Sequence, residues 1–170
     1  VLRLKAPHDA LISLLGQSPK SILDTTMGLA SDSLVMAAVG NRVTALESQE
    51  VIFQVVSRGL ATYQTDEKQL EKAMRSIKAI KSDSLSFLKS QADHSFDIIY
   101  ADPMFSETIK ESENLNAIKP LANGSRLTRE WLDEAKRVGR ERIIIKAHFR
   151  DSVFEELGFE RQVRPNQKLH

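Results

Sequence analysis

The sequence predicts a doubly wound α/β fold, a mostly parallel sheet with helices on both faces. Three observations predict it. Short apolar, β-branched runs alternate with segments of helical spacing along the whole chain. The stretch SILDTTMGLASDSLVMAAVG, Ser21 to Gly40, reads as a buried strand, a small-residue turn around Gly28 and a helix, which is the nucleotide-binding corner of such sheets. Finally, one strand after another ends on a carboxylate.

The elements follow in order. Pro7-His8-Asp9 opens a short amphipathic helix, ALISLLG, that stops at Gly16. Strand one covers residues 21–25, and the helix over 31–39 closes on Gly40-Asn41. Gly28 permits close backbone approach to a ligand, and the helix after it presents free N–H groups and a partial positive charge. Arg42 to Leu46 is strand two, ending on Glu47. Glu50 to Tyr63 is a long helix with Val51, Ile52, Val55, Val56 and Leu60 as its apolar positions. Thr65-Asp66 caps a further helical run, EKQLEKAMRS, charged on its outer face.

Ile77 to Ile80 is a short third strand, followed by Ser82-Asp83-Ser84 and a small helix through Phe87-Leu88. Phe96 to Ala101 is strand four and runs into Asp102-Pro103-Met104-Phe105. Residues 106–125 form a long polar connection, of a kind that is more often functional than accidental. A helix over Thr128 to Val138 carries Trp131, whose spacing with Leu127 and Ala135 places it in the core. Arg142 to Lys146 is strand five, Asp151 to Leu157 a helix stopped by Gly158, and Phe159 to Arg164 a last strand.

At 170 residues the chain fits one domain, predicted over residues 1–170, with a real hydrophobic core. Its 41% hydrophobic and 28% charged residues are those of an ordinary globular protein. No apolar run approaches the roughly 20 residues that cross a bilayer, so no membrane partner is expected. The absence of cysteine excludes disulfides and thiolate metal sites and predicts a cytoplasmic setting. The net charge of +1 announces no global basic field, although 126–170 carry eleven Lys/Arg, eight of them arginine, against eight Asp/Glu. His8, His94, His148 and His170 have no metal-ligand spacing, and no Gly-x-Ser-x-Gly elbow or Gly-x-Gly-x-x-Gly loop is present.

Ligands of doubly wound sheets bind at the carboxyl ends of the strands, near the switch in strand order. Asp24, Glu47, Asp83 and Asp102 stand at the ends of strands one to four. Glu47 suits a ribose diol, and Asp83 an exocyclic amine such as adenine N6. Each alone is more often a solvated acid or a helix cap; together they favour a nucleoside ligand. Pro103 forces the chain out of the sheet, leaving an acid, a rigid turn and an aromatic at the edge of the crevice. Such a turn can hold a planar amine, with Phe105 stacked on the ring, or can simply end the strand with Phe105 folded inward.

On these residues the sequence resembles the class I S-adenosylmethionine-dependent methyltransferases and their Rossmann-like fold. Asp24-Thr25-Thr26-Met27-Gly28-Leu29-Ala30-Ser31-Asp32, Glu47, Asp83-Ser84 and Asp102-Pro103-Met104-Phe105 stand in the order of that family's motifs. The last is similar to the Asn/Asp-Pro-Pro-Tyr/Phe turn of members that methylate amino groups of nucleobases. Within the class, the chain from residue 20 to 150 is most similar to the RsmJ (YhiQ) family of 16S ribosomal RNA guanine-N2 methyltransferases. That family has the same Asp-Pro-Met-Phe and a later strand ending in lysine, as Lys146 does here.

The resemblance implies S-adenosylmethionine as cofactor, held by Asp24, Thr26, Gly28, Asp32, Glu47, Ser48, Asp83, Ser84 and Asp102. It implies catalysis at Asp102, Pro103 and Phe105, and substrate contacts at Met104, Phe105, Lys146 and His148. The implied partner is RNA, as 16S ribosomal RNA or the small ribosomal subunit, with the target base unpaired or flipped out. No metal is implied. Ala30 stands where that family has a second glycine and Ser31 where it has arginine. Ala147-His148-Phe149-Arg150 replaces its basic, proline-containing segment, and Lys110 and Lys119 are the main lysines after Phe105. The chain opens at Val1 without the family's N-terminal extension, as expected of a piece of a longer protein. A nicotinamide-dependent oxidoreductase and a methyltransferase-like binding module without catalysis are the rival expectations.

Overall fold

The computed structural model describes residues 9–103, 127–148 and 151–161. Five strands form one parallel sheet in the order β3-β2-β1-β4-β5: β1 (Ser21–Asp24), β2 (Arg42–Glu47), β3 (Lys78–Lys81), β4 (Phe96–Ala101) and β5 (Gly139–Ile145). The strand order reverses between β1 and β4, so the crevice for a ligand opens at the ends of those two strands.

Alternation along the central strands fills two cores. Ile22, Ile98, Tyr100 and Ile144 face one side, under α1 (Ala10–Leu15), α2 (Ser31–Ala38), α3 (Glu50–Thr62) and α4 (Lys68–Ser76). Leu23, Ile99, Ala101 and Ile145 face the other, under α5 (Ser84–Ser90), α6 (Arg129–Val138) and α7 (Val153–Leu157). Each fully buried Ile or Leu contributes about 1.5–3 kcal/mol. Trp131 and Ala135 are buried in the second core, as the helical spacing predicts. No helix of the described residues is long and apolar enough to cross a membrane.

Several expectations are corrected. On α3, Val51 and Val55 are 56% and 67% exposed, while Phe53 packs on the core beside buried Ile52 and Leu60. A helix side broad enough for five apolar residues does not say which edge is covered. Glu67, not Thr65-Asp66, is the N-cap of α4, and Thr65 Oγ1 accepts from the Glu67 N–H. β5 begins at Gly139, four residues before the apolar run, because Gly139 and Arg142 pair with Phe96 and Ile98 of β4 while exposed Arg140 and Glu141 fill the bulge between them. Residues 159–161 are not in a strand, and 162–164 lie outside the described residues.

α6 runs into β5 without a connecting residue, Val138 ending one and Gly139 beginning the other. A Cβ at position 139 would stand 2.9 Å from the Ala135 carbonyl oxygen and 3.1 Å from Ile99 Cγ1. Only glycine fits that corner.

Candidate active site

The loop from β1 to α2 is built around Asp24, which is 2% exposed. Its Oδ1 accepts from the Thr26 N–H at 3.0 Å, and its Oδ2 accepts from the Ser33 hydroxyl. The loop therefore folds over its own strand end. Glu47, at the end of β2, accepts from the Gly28 N–H at 3.1 Å and from the Gln49 N–H at 2.8 Å. Gly28 has φ +49°, and a Cβ there would meet only the Thr26 carbonyl oxygen, at 3.9 Å. The space above this turn is open, and Glu47 lies at its rim.

Ala30, at the start of α2, also holds a left-handed conformation, φ 60° and ψ 19°. In a residue with a Cβ this costs about 1–2 kcal/mol. α2 has no side-chain cap, and Asp32 sits in its first turn.

The turn after β4 is cross-linked onto this loop. The Asp102 N–H donates to Thr26 Oγ1 at 2.7 Å, and Thr25 donates to the Tyr100 carbonyl oxygen through both its N–H and its hydroxyl, each at 2.9 Å. Pro103 is buried beneath the turn. Lys146, the first residue after β5, reaches across: its Nζ donates to Asp32 Oδ2 at 2.9 Å and to Asp102 Oδ2. The buried Tyr100 hydroxyl donates to the same Asp32 oxygen at 2.6 Å.

These carboxylates crowd one another. Burial pushes the Asp24 carboxyl up to about 7, with the charges of Asp32 and Asp102 adding to the rise. Burial likewise lifts Asp102 to about 6, against the pull of Lys146. Burial presses the Lys146 ammonium downward, but Asp102 and Asp32 outweigh it and hold the group above its ordinary value. Two carboxylates, Asp32 and Asp102, thus flank the Lys146 ammonium, with Asp24 close enough to feel the charge of both, and the acidic site suits a cationic ligand.

The remaining expected residues are placed as follows. Ser48 is half-buried beside Glu47. Asp83 is exposed and N-caps α5, its Oδ1 accepting from the Ser86 N–H at 2.9 Å; Ser84 is the first residue of that helix. His148 is 2% exposed, two residues after Lys146. Met104 and Phe105 lie outside the described residues, as do Lys110 and Lys119. Ser33 and Tyr100 were not singled out by sequence. A hydroxyl nine residues after Asp24 carries no signal of its own, and a tyrosine in a strand buried on both faces reads as core.

A central crevice of a 3-2-1-4-5 sheet, walled by a small-residue loop and acidic strand ends, defines a nucleoside-binding α/β protein. Residues 9–164 match the family model described as "Putative SAM-dependent methyltransferase". The chain belongs to this family of S-adenosylmethionine-dependent methyltransferases. Among its relatives, the uncharacterized protein YpiP of Bacillus subtilis (strain 168) is 33% identical over 153 residues, 88% of this chain and 60% of that protein. Ribosomal RNA small subunit methyltransferase J of Laribacter hongkongensis is 30% identical over 143 residues, 82% of this chain and 50% of the relative. The crystal structure of a SAM-dependent methyltransferase from Neisseria gonorrhoeae shares the fold, with a TM-score of 0.56 at 20% identity over 82% of this chain and 53% of that one. The chain spans about half the length of the curated relatives it matches.

The residues present fit the family's cofactor. Glu47 keeps acceptor capacity at the rim for ribose hydroxyls, the space over Gly28 is open, and the acidic surroundings suit a sulfonium and an ammonium.

Proposed function

We propose that this chain is the catalytic unit of an S-adenosylmethionine-dependent RNA methyltransferase acting on an exocyclic amine, guanine N2 of 16S ribosomal RNA. The observation that carries the proposal is the bond from the Asp102 N–H to Thr26 Oγ1. It fixes the Asp102-Pro103 turn against the cofactor loop, where donor and acceptor must meet. The relatives named ribosomal RNA small subunit methyltransferase J support RNA as the substrate.

Bound at the crevice, S-adenosylmethionine supplies an electrophilic methyl group. The chain's own task is alignment, and positioning of this kind contributes roughly 7–11 kcal/mol. Glu47 accepts from the ribose diol, Asp24 and Thr26 hold the loop that carries Gly28, and Asp83 and Ser84 border the base. Ser48 and Asp32 complete the cofactor's surroundings. The Asp102 carboxylate and the Pro103 carbonyl accept the N–H groups of the amine, turning its lone pair outward and stabilising the positive charge that develops on nitrogen. In this proposal Phe105 stacks on the flipped base and Met104 is a further substrate contact.

Calorimetric titration with S-adenosylmethionine, S-adenosylhomocysteine and NAD, on the wild type and on Glu47→Ala, tests the cofactor site. Binding of the first two, weakened about 10- to 100-fold by the substitution, is expected from losing hydrogen bonds to a charged group. Labelled-methyl transfer to 16S ribosomal RNA, with nucleoside analysis of the product, tests the substrate. A label on adenine or on ribose would overturn the guanine assignment.

A further inference from the structure

We infer that Lys146 is a positioning residue, tying Asp32 at the start of α2 to Asp102 of the acceptor turn and aiming the Asp102 carboxylate rather than touching substrate. The inference rests on the methyltransferase reading above, and it assigns Lys146 a place in that site different from the substrate contact that the family resemblance implies.

The geometry is specific. An ammonium has three N–H donors, and two of those of Lys146 go to Asp32 and Asp102. Its side chain is 26% exposed and lies between two carboxylates. The group of Asp32, Lys146 and Asp102 is therefore net negative, and a phosphate approaching this ammonium meets two repelling charges at hydrogen-bond distance from it. The Asp32 oxygen that Lys146 reaches is also held by the Tyr100 hydroxyl. The backbone of Asp102 is fixed by Thr26 and its side chain by Lys146, so both ends of the residue are anchored.

Lys146 is in turn set by the sheet. Its N–H donates to the Ala101 carbonyl oxygen at 2.8 Å, extending the β4–β5 ladder to the residue before Asp102. A flexible four-carbon stem on a rigid strand end gives one ammonium reach to both walls of the crevice. Movement of the α2 terminus on cofactor binding would thus be felt at Asp102 through a single side chain.

The groups facing the pair are Asp24 from β1, Asp32 from α2 and Tyr100 from β4. Removing the ammonium leaves Asp102 among carboxylates with nothing opposite, and its ionisation moves to higher pH.

The test compares wild type, K146M, K146Q and K146R. The titration of the Asp102 carboxyl, followed by carbon-13 NMR and assigned with D102N, needs no substrate and no turnover. K146M is expected to raise its midpoint by about one pH unit, from loss of a neighbouring opposite charge, with K146R restoring it. In the methyl-transfer assay K146M should lower kcat about 10- to 100-fold with little change in KM for RNA, and move the acid limb of the pH profile upward. K146Q, which keeps a donor and most of the length, serves in the same way should K146M fail to fold. An unmoved Asp102 titration, with a raised KM for RNA and a salt dependence reduced by about one phosphate contact, would overturn the inference and make Lys146 a backbone contact. Were the wild type to transfer no methyl group to any RNA, the functional proposal would fall while the Asp102 titration still decided the role of Lys146.

Discussion

The carboxyl edge of the sheet has two halves that use the same residue type for different ends. At β1 and β4, Asp24 and Asp102 are bonded into the protein: one closes a loop on Thr26 and Ser33, the other is anchored through Thr26 and Lys146. At β2 and β3, Glu47 and Asp83 accept backbone N–H groups at the rim, and Asp83 is exposed. The inner acids shape the crevice, and the outer ones border it. A carboxylate at a strand end is therefore no single signal: Glu47 is 9% exposed and the Asp102 side chain 30%, so its bonding partners rather than its burial decide whether it organises protein or meets ligand.

Asp24 gives the largest expected break between the halves. Asp24→Ala leaves the Ser33 hydroxyl and the Thr26 N–H buried without their acceptor, and about 3 kcal/mol of stability should be lost in urea unfolding at neutral pH. Asp24→Asn keeps the shape and an acceptor for Thr26, so it should stay within about 1 kcal/mol of wild type. The asparagine variant also sharpens a pH test. With its carboxyl raised to about 7 from 3.8, the folded protein holds a proton that the unfolded chain has released between those values. The stability from this group is full below the unfolded value and is lost as pH rises through about 7. Unfolding measured from pH 4 to 8 should show that decline in the wild type and lose the larger part of it in Asp24→Asn, the remainder belonging to Asp102, whose carboxyl is raised to about 6.

Glu47→Ala shifts the balance toward the ligand, with a loss of cofactor affinity of about 10- to 100-fold beside a stability loss of about 1–2 kcal/mol from the Gly28 and Gln49 N–H groups that lose their acceptor. Asp83→Ala should remove a helix cap worth about 1 kcal/mol and weaken the cofactor less than Glu47→Ala does. Equal losses of affinity would erase the distinction between the two outer acids. The smallest effect belongs to Ala30→Gly. Relief of about 1–2 kcal/mol of left-handed strain is offset by about 0.8 kcal/mol for a lost buried methyl group and by the added freedom of the unfolded glycine, so thermal unfolding should shift by only a few degrees.

Much of this was legible in the sequence, for identifiable reasons. β4 was bounded correctly because its apolar run has a polar segment before it and Asp102-Pro103 after it. Asp24, Glu47, Asp83 and Asp102 were placed at strand ends because each follows an apolar run in a chain of alternating period. The start of β5, Gly139 to Glu141, is not legible, since Arg140 and Glu141 are solvent-facing and carry no hydrophobic pattern. Nor is the tie between Asp32, Tyr100, Lys146 and Asp102, whose members are separated by 44 to 114 residues along the bonds that join Lys146 to its partners. Side-chain reach across a crevice leaves no local trace.

The tight corner at Gly139 sets the phase of everything after it. With no slack between α6 and β5, the strand cannot slide to absorb an inserted or deleted residue. Its side chains alternate, Ile144 to one core, Ile145 to the other, Lys146 to the crevice, and Ala147 back to the second core. A single deletion between Gly139 and Lys146 would half-turn this sequence, presenting Ala147 to Asp102 and driving the lysine into the hydrocarbon beneath α6. Helix length and site charge are thus geared together, and the glycine is the tooth at which they mesh.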